Sequence, residues 1–487
     1  MRGNGNGTAH TSGASSAARR LHRSIVVVTL VLVSVGSFPG IASATPGAKL
    51  WGHRYDGPKS NADQVSALAV SPDGSTVFVT GSSLGLTSAK DYATLAYEAS
   101  TGNRLWTMRY DGTAGRADQA VALGVSPDGS MVFVTGSSVG LTGGRDFVTV
   151  AYDASTGTEL WTKRYDGPGN GTDRPKALAV SPDGSQVFVT GRSIGSSTSL
   201  NTWDYATVAY DASAGTKLWA KRYDGPASSD DLANALGVSP DGSMVFVTGQ
   251  SAGSPAIYEI ATIAYDATTG DRVWTKRFDD PDTADDVANA LGVSPDGSTV
   301  FVSGYGRSLS TDFDYLTVAI DATSGDPVWS KRYNGPADYQ DVSNALGVSP
   351  DGSQVFVTGV SWATLIQGAN YATVAYDAAT GAELWVGRYT RTTDDAAKAL
   401  AVSPDGSAVF VTGTSTGDTG RPDFATVAYD TSMGTELWVR RYNGPADNTD
   451  QANAIGVKPD GSAVYVAGST YGFTSDFDYA TLAYSTV

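Results

Sequence analysis

The chain has 487 residues, 41% of them hydrophobic and 17% charged, a globular composition with ample length for a large core. It contains no cysteine, which excludes disulfides, thiol chemistry and zinc sites built from Cys and His. Lys and Arg number 33 against 50 Asp and Glu, a formal charge of −17 that argues against nucleic acid or an anionic membrane as partner.

Residues 1–44 read as an export signal. Arg19, Arg20 and Arg23 precede an apolar run from Ile25 to Val35, and the small residues Ala42-Ser43-Ala44 place cleavage before Thr45. The run is short for a bilayer span of ~20 residues. Arg19-Arg20 lacks the rest of a twin-arginine pattern, so the general secretory route is expected. The leader holds four arginines and no acid, which leaves the mature chain, 45–487, with 29 basic and 50 acidic side chains and a formal charge of −21. The expectation is a protein secreted or held at the cell surface, without a later membrane span.

From Leu50 onward one unit of about 55 residues recurs, and a fixed period near this length signals a propeller, solenoid or array. A Pro-Asp-Gly turn occurs at Pro72, Pro127, Pro182, Pro240, Pro295, Pro350, Pro404 and Pro459. A tryptophan after Leu or Val occurs at Trp51, Trp106, Trp161, Trp219, Trp274, Trp329, Trp385 and Trp438. Both series have eight members. Each unit reads as four strands: a (Ala67–Val70 in the first), b (Val77–Thr80), c (Tyr92–Tyr97) and d (Leu105–Tyr110). Proline presets φ in the a–b turn and glycine accepts the positive φ that follows. Strands b and c are apolar on both faces, so each sheet needs a neighbour on either side, which blades around an axis supply.

The chain ends complement one another. Leu50–Tyr55 is a lone strand d, and the last unit stops after its strand c at Tyr484. The sequence therefore predicts an all-β fold, a single eight-bladed β-propeller over residues 45–487. It has four antiparallel strands per blade, and the N-terminal strand completes the last blade and removes an open edge. A monomer is expected.

The turn after strand c has the form Ala151-Tyr-Asp153-Ala-Ser-Thr156-Gly157-Thr-Glu-Leu-Trp161, and it recurs at Ala264 to Trp274 and Ala375 to Trp385. This resembles the tryptophan-docking motif of PQQ-type eight-bladed quinoprotein propellers. The whole unit, Asp-Tyr-Ala-Thr-Val-Ala-Tyr-Asp followed by Leu-Trp-x-x-Arg-Tyr, resembles the SBBP-type β-propeller repeats of secreted bacterial proteins. Val-Ser-Pro-Asp-Gly-x-x-Val-Phe-Val is similar to YVTN-type repeats. The resemblance covers residues 50–487 and implies fold and export, with no single activity. The docking motif departs at Glu98, Ala214 and Met433, where looser blades are expected.

A residue present in every blade serves every blade. The arginines three after each tryptophan (Arg54, Arg109, Arg164, Arg222, Arg277, Arg332, Arg388, Arg441) are therefore read as structural. So are the aspartates ahead of each strand a (Asp63, Asp118, Asp173, Asp231, Asp286, Asp341, Asp395, Asp450), whose carboxylates would accept amides of the blade-connecting turns. The alternative for them is an acidic ring around the channel mouth. Chain direction puts the uniform a–b and c–d turns on one face and the variable d–a and b–c loops on the other, where binding usually sits. The unrepeated aromatics Trp203, Tyr258, Tyr305, Phe313, Trp362 and Tyr471 belong to that second face, with Tyr339 and Phe473, and could stack on sugars or peptides.

Catalytic constellations are scarce. His53 is the one histidine beyond the leader and replaces Met108 or Lys163 of other repeats, which marks it as structural. The fifth repeat is unusually acidic. Asp280, Asp282, Asp285 and Asp286 precede its strand a, and Asp312 and Asp314 end its b–c loop, an oxygen-only set that suits Ca²⁺. The reading favoured is an exported, non-catalytic propeller that binds a glycan, peptide or protein at the variable face. A PQQ-dependent oxidoreductase and a carboxylate-based glycan hydrolase or lyase are the alternatives. The missing cysteines count against PQQ, because many such enzymes carry a vicinal disulfide.

Overall fold

The computed structural model describes residues 45–85, 89–112, 115–141, 144–195, 202–227, 229–254, 257–280, 283–308, 312–364, 368–391 and 394–486. Residues 44–487 form one compact unit of 32 strands in eight four-stranded antiparallel sheets, an eight-bladed β-propeller. The expected strands are all present and longer than the sequence pattern marks. In blade 1 they are Gln64–Val70, Thr76–Leu84, Lys90–Glu98 and Arg104–Tyr110, ordered a-b-c-d from the axis outward. Among the described residues no helix is long and apolar enough to cross a membrane.

The two-sided hydrophobicity of strands b and c is used between blades. Each of the eight apolar clusters joins consecutive blades. One sets Phe78, Tyr92 and Trp106 of blade 1 against Val132, Val148 and Tyr152 of blade 2. At six sheet centres buried threonines meet in pairs, as Thr80 with Thr94 at 2.9 Å and Thr135 with Thr149 at 3.1 Å, so their hydroxyls are satisfied inside the core.

Ring closure follows the expected scheme. Lys49–Tyr55 pairs antiparallel with Phe477–Ser485, and Trp51 and Tyr55 join a cluster shared by blade 8 and blade 1. Trp51 Nε1 donates to the Ala99 carbonyl of blade 1 at 2.8 Å. Equivalent bonds run from Trp106 to Ala154 (2.9 Å), Trp161 to Ala212 (2.8 Å) and Trp385 to Thr431 (2.7 Å), always onto the c–d turn of the next blade. That turn brings a left-handed glycine down on the indole; a Cβ on Gly157 would come within 2.8 Å of the Trp106 ring. The looser blades expected from Glu98, Ala214 and Met433 are not seen. The glycine and the accepting carbonyl persist in all three turns, and the backbone of Ala214 and Met433 still donates to Asp211 and Asp430 at 2.8 and 3.0 Å. The threonine hydroxyl tightens the turn without making the dock.

The repeated aspartates brace the d–a connections, as read from the sequence. Asp118 accepts the Gly112 amide at 2.5 Å and Asp173 accepts Gly167 at 2.6 Å. Asp341 accepts both Gly335 at 2.5 Å and Trp362 at 3.0 Å, tying the d–a turn to the end of strand b.

Two predictions follow from this architecture. Removal of residues 45–56 deletes Trp51 and the outer strand of blade 8, and loss of one large buried side chain alone costs roughly 3–5 kcal/mol. Calorimetry should show a lower melting temperature than that of residues 45–487, and coincident melts would mean that the closing strand contributes little stability.

The second concerns pH. Burial pushes the Asp63 and Asp341 carboxyls up to about 6 against the pull of the groups that donate to them. Asp128 and Asp351, held by Ser126 and Ser349, lie down at about 2. A raised acid binds more protons folded than unfolded, so stability falls as pH rises from about 4 through about 6; a lowered acid loses its contribution as pH falls from about 4 to about 2. Melting temperature is expected to peak near about pH 4, with a shallower decline above it in Asp63→Asn/Asp341→Asn. A wild-type melting temperature that climbs steadily from about pH 4 to about pH 7 would contradict this.

Candidate functional site

The two faces of the propeller differ as loop chemistry dictates. Recesses on the a–b/c–d face repeat with the blades. One is lined by Pro295, Asp296, Asp351 and Gly352, and another by Pro350, Asp351, Asp405 and Gly406. They are the seams between identical turns. On the d–a/b–c face the recesses are individual. One of about 360 Å³ is lined by Gln64, Ser66, Ser82, Gln119 and Asn453 of blades 8, 1 and 2, and one of about 200 Å³ lies between blades 3 and 4.

The repeated arginines reach this face from the outer strands and are engaged there. Arg109 donates to Asp91 (2.8 Å), to the Ser83 carbonyl (2.7 Å) and to Tyr55 of the preceding blade (3.3 Å). Arg164 pairs with Asp146 at 2.7 Å and Arg441 with Asp423 at 2.8 Å. Blade 6 departs, with Asn370 at the carboxylate position and Arg388 bonded to Ser361 and Tyr333. Among the described residues, four blade junctions gather three carboxylates within 4.8 Å of one another: Asp56, Asp63 and Asp478; Asp91, Asp111 and Asp118; Asp146, Asp166 and Asp173; Asp204, Asp224 and Asp231. Burial and then the neighbouring Asp91 charge raise Asp111, and burial leads the rise of Asp118.

Trp203, Tyr258, Tyr305, Phe313, Trp362 and Tyr471 all lie on this face, at strand ends rather than in loops, and all six are half-buried. Tyr305 meets Phe313 edge-on at 4.9 Å, Trp362 meets Tyr339 at 5.2 Å, and Tyr471 meets Phe477 at 5.4 Å. Trp203 lies under the Arg192 guanidinium at 4.6 Å. The backbone amides of Trp203 and Tyr258 donate to Asp230 at 3.0 Å and Asp285 at 3.1 Å. The six thus form a rim spread over blades 3, 4, 5, 6 and 8, not one pocket. Tyr339 and Phe473 are its exposed members, at 41% and 78%.

The acidic set of the fifth repeat is divided: Asp280, Asp286 and Asp314 stay together, whereas Asp285 and Asp312 have other partners. Asp280 and Asp314 both face Arg332, at 3.6 and 2.5 Å. Asp286 accepts the Asp280 amide at 2.7 Å, Asp285 turns to Tyr258, and Asp312 lies 4.0 Å from Arg307. Asp282 lies outside the described residues. The tight carboxylate trios among the described residues are elsewhere, because Asp111 and its equivalents sit where a c-strand acid and a d–a acid of adjacent blades converge.

Sequence reading missed the lining of the recess between blades 3 and 4: Arg174, Pro175, Lys176, Arg192, Leu232, Ala233 and Asn234. The available signal was a break in the repeat. Arg192 stands where the other blades have Ser82, Ser137, Gln250, Tyr305, Val360, Thr414 and Ser469.

Among curated protein sequences none matches the chain. Among solved structures it is similar to Sqt1 from Chaetomium thermophilum bound to the N-terminus of the ribosomal protein L10. That match has 16% identity, a TM-score of 0.58, and coverage of 89% of this chain and 98% of that one. It is also similar to the quinohemoprotein alcohol dehydrogenase of Comamonas testosteroni (14%, TM-score 0.56, 90% and 76%) and to BamB from Moraxella catarrhalis (14%, TM-score 0.51, 90% and 99%). At these identities the likeness is one of fold. A family model described as outer membrane protein assembly factor BamB matches residues 40–201 and, overlapping them, 91–370. With more than half of its length matched, the chain belongs to that family of PQQ-type propellers.

Proposed function

We propose that the chain is an exported binding propeller without chemistry of its own, which holds a glycan, peptide or protein ligand at the d–a/b–c face. One observation carries this reading. The repeated polar groups are engaged in joining blades, whereas residues that break the repeat, the rim aromatics and the cations of blade 3, gather on that one face. The family's description as an assembly factor supports binding over catalysis.

The oxidoreductase alternative would need a flat slot for a tricyclic quinone acid. The eight docking indoles lie between blades, each 5–9% exposed, and seven donate to a carbonyl of the next blade, so they offer no face to the channel. Asn234, Asn289, Asn344 and Asn453 on the inner strands are tied to neighbouring carbonyls at 2.8–2.9 Å. These residues do not fit that cofactor. The glycan hydrolase or lyase alternative needs carboxylates that face a ligand, and the bracing aspartates, such as Asp63 and Asp173, are sealed beneath their turns.

A glycan array probed with the mature chain tests the reading, with Trp203→Ala and Trp362→Ala as site variants. Both should weaken binding and melt close to the wild type, because neither ring belongs to the apolar clusters that join the blades. Trp161→Ala and Trp274→Ala should lose roughly 3–5 kcal/mol of stability. Equal stability losses in all four, or binding untouched in both rim variants, would sink the assignment. Dye-linked oxidation above background after addition of quinone and Ca²⁺ would favour the oxidoreductase.

A further inference from the structure

Strand a of every blade carries a β-bulge at the same place, and the bulged residue differs from blade to blade: Ser66, Val121, Lys176, Asn234, Asn289, Asn344, Lys398 and Asn453. Bulges re-aim a side chain and are over-represented beside functional sites. In the four asparagine blades the amide donates to the inner strand of the next blade, so there the position serves the scaffold. Lysine has no such bond in blade 3. Instead Lys176 sits beside a second departure from the repeat: Arg174 of strand a lies directly opposite Arg192 of strand b. At the same register the other blades pair Gln64 with Ser82, Gln119 with Ser137, Leu232 with Gln250, Val287 with Tyr305, Val342 with Val360, Ala396 with Thr414 and Gln451 with Ser469, none of them charged.

Like charges directly opposite across an antiparallel pair are destabilising. Among the described residues none of the three cations makes an ion pair within 4.0 Å. Asp230 offsets part of the Arg192 charge, and its carboxylate is bonded to the Trp203 amide. Arg192 is steadied over the Trp203 ring at 4.6 Å, which fixes its guanidinium without neutralising it. Lys176 is exposed by surface area, yet crowding by protein around its ammonium and then the Arg192 charge lower it, and partial burial and then Arg174 lower Arg192. This is a recess of about 200 Å³ with an excess of positive charge, three cations without an ion pair, in a mature chain of formal charge −21.

We propose that the recess between blades 3 and 4 is an oxyanion site that takes the carboxylate or sulfate of a sugar acid, with Arg174 and Arg192 as the guanidinium pair and Lys176 as the third cation. Guanidinium forks match the two oxygens of such a group, and the site's excess charge is balanced when it is filled. The recess is smaller than the 300–1,000 Å³ typical of drug-sized ligands, which limits the bound part to about one ring and its acid group. The proposal rests on the binding reading above and names the ligand class for one sector of that face.

Isothermal titration of the mature chain with sodium glucuronate, sodium sulfate and glucose tests it. Glucuronate and sulfate should bind and compete, glucose should not, and affinity should fall as salt rises. Arg192→Gln should weaken glucuronate ~10-fold or more, the loss of a charge-assisted contact. Lys398→Gln, at the equivalent bulge of blade 7, should leave it unchanged. Without anion, Arg192→Gln should melt at or above the wild type, because it removes a cross-strand repulsion. Three results would each overturn the site: no heat with either anion, glucose binding as well as glucuronate, or undiminished affinity in Arg192→Gln. Binding of sulfate or of an acidic peptide without binding of glucuronate would overturn the sugar-acid assignment. Neutral glycans still held by Arg192→Gln at wild-type affinity would leave the general binding reading intact while the site result stands by itself.

Discussion

The structure depends on one contact made at each blade junction. An indole at the outer strand of one blade lies under the c–d turn of the next, its N–H on a turn carbonyl and its ring beneath a left-handed glycine. A four-stranded sheet that is apolar on both faces cannot be stable by itself, because it would leave one face in water. The dock solves this by fixing how far and at what angle the next sheet lies. Trp438 is the exception that shows which part is essential. Its N–H finds no partner among the described residues, yet it stays buried against Phe410 and Tyr484. Packing of the ring holds the junction, and the hydrogen bond aligns it.

Electrostatics then joins the blades a second time, at the opposite end of the dock. Outside blade 6, where Asn370 takes the acid's place, each outer-strand arginine ties its own sheet together through a c-strand acid, and Arg109, Arg277, Arg388 and Arg441 also reach a tyrosine of the preceding blade. The d–a aspartates close the connecting turns from inside. Burial with few countercharges raises the affinity for protons of carboxylates such as Asp63, Asp173 and Asp341, against the pull of their amide donors. The scaffold that gives the face its rigidity thereby stores negative charge just beneath it. Against that background, three adjacent cations in blade 3 stand out as chemistry that the scaffold does not need.

Much of this was legible in the chain. The glycine of each c–d turn and the Pro-Asp-Gly of each a–b turn act within a few residues, so their spacing reports directly on local structure; the tryptophan series acts across blades, as Trp106 does on Ala154, and was readable through its period. The aspartates were also readable, because a carboxylate bracing a turn six residues back, as Asp118 does for Gly112, is a local interaction. The rim aromatics were placed on the correct face, since alternation of strand direction decides the face. Their partners were not readable: whether Trp203 would meet a sugar, another ring or Arg192 depends on cross-strand register.

The sequence by itself determined eight blades, four strands in each and closure by the strand that carries Trp51, because a repeat encodes the same local geometry each time and the two ends are complementary. Only the tertiary structure decided which charges meet. Asp91, Asp111 and Asp118 converge from two blades, and Arg174 comes to face Arg192 across a bulged strand pair. The acids of the fifth repeat, close in sequence, are instead divided between Arg332, Arg307 and the backbone of a neighbouring blade. Proximity along the chain is set by covalent bonds, but proximity of charges is set by register and by the angle between sheets, and neither is written in any single repeat.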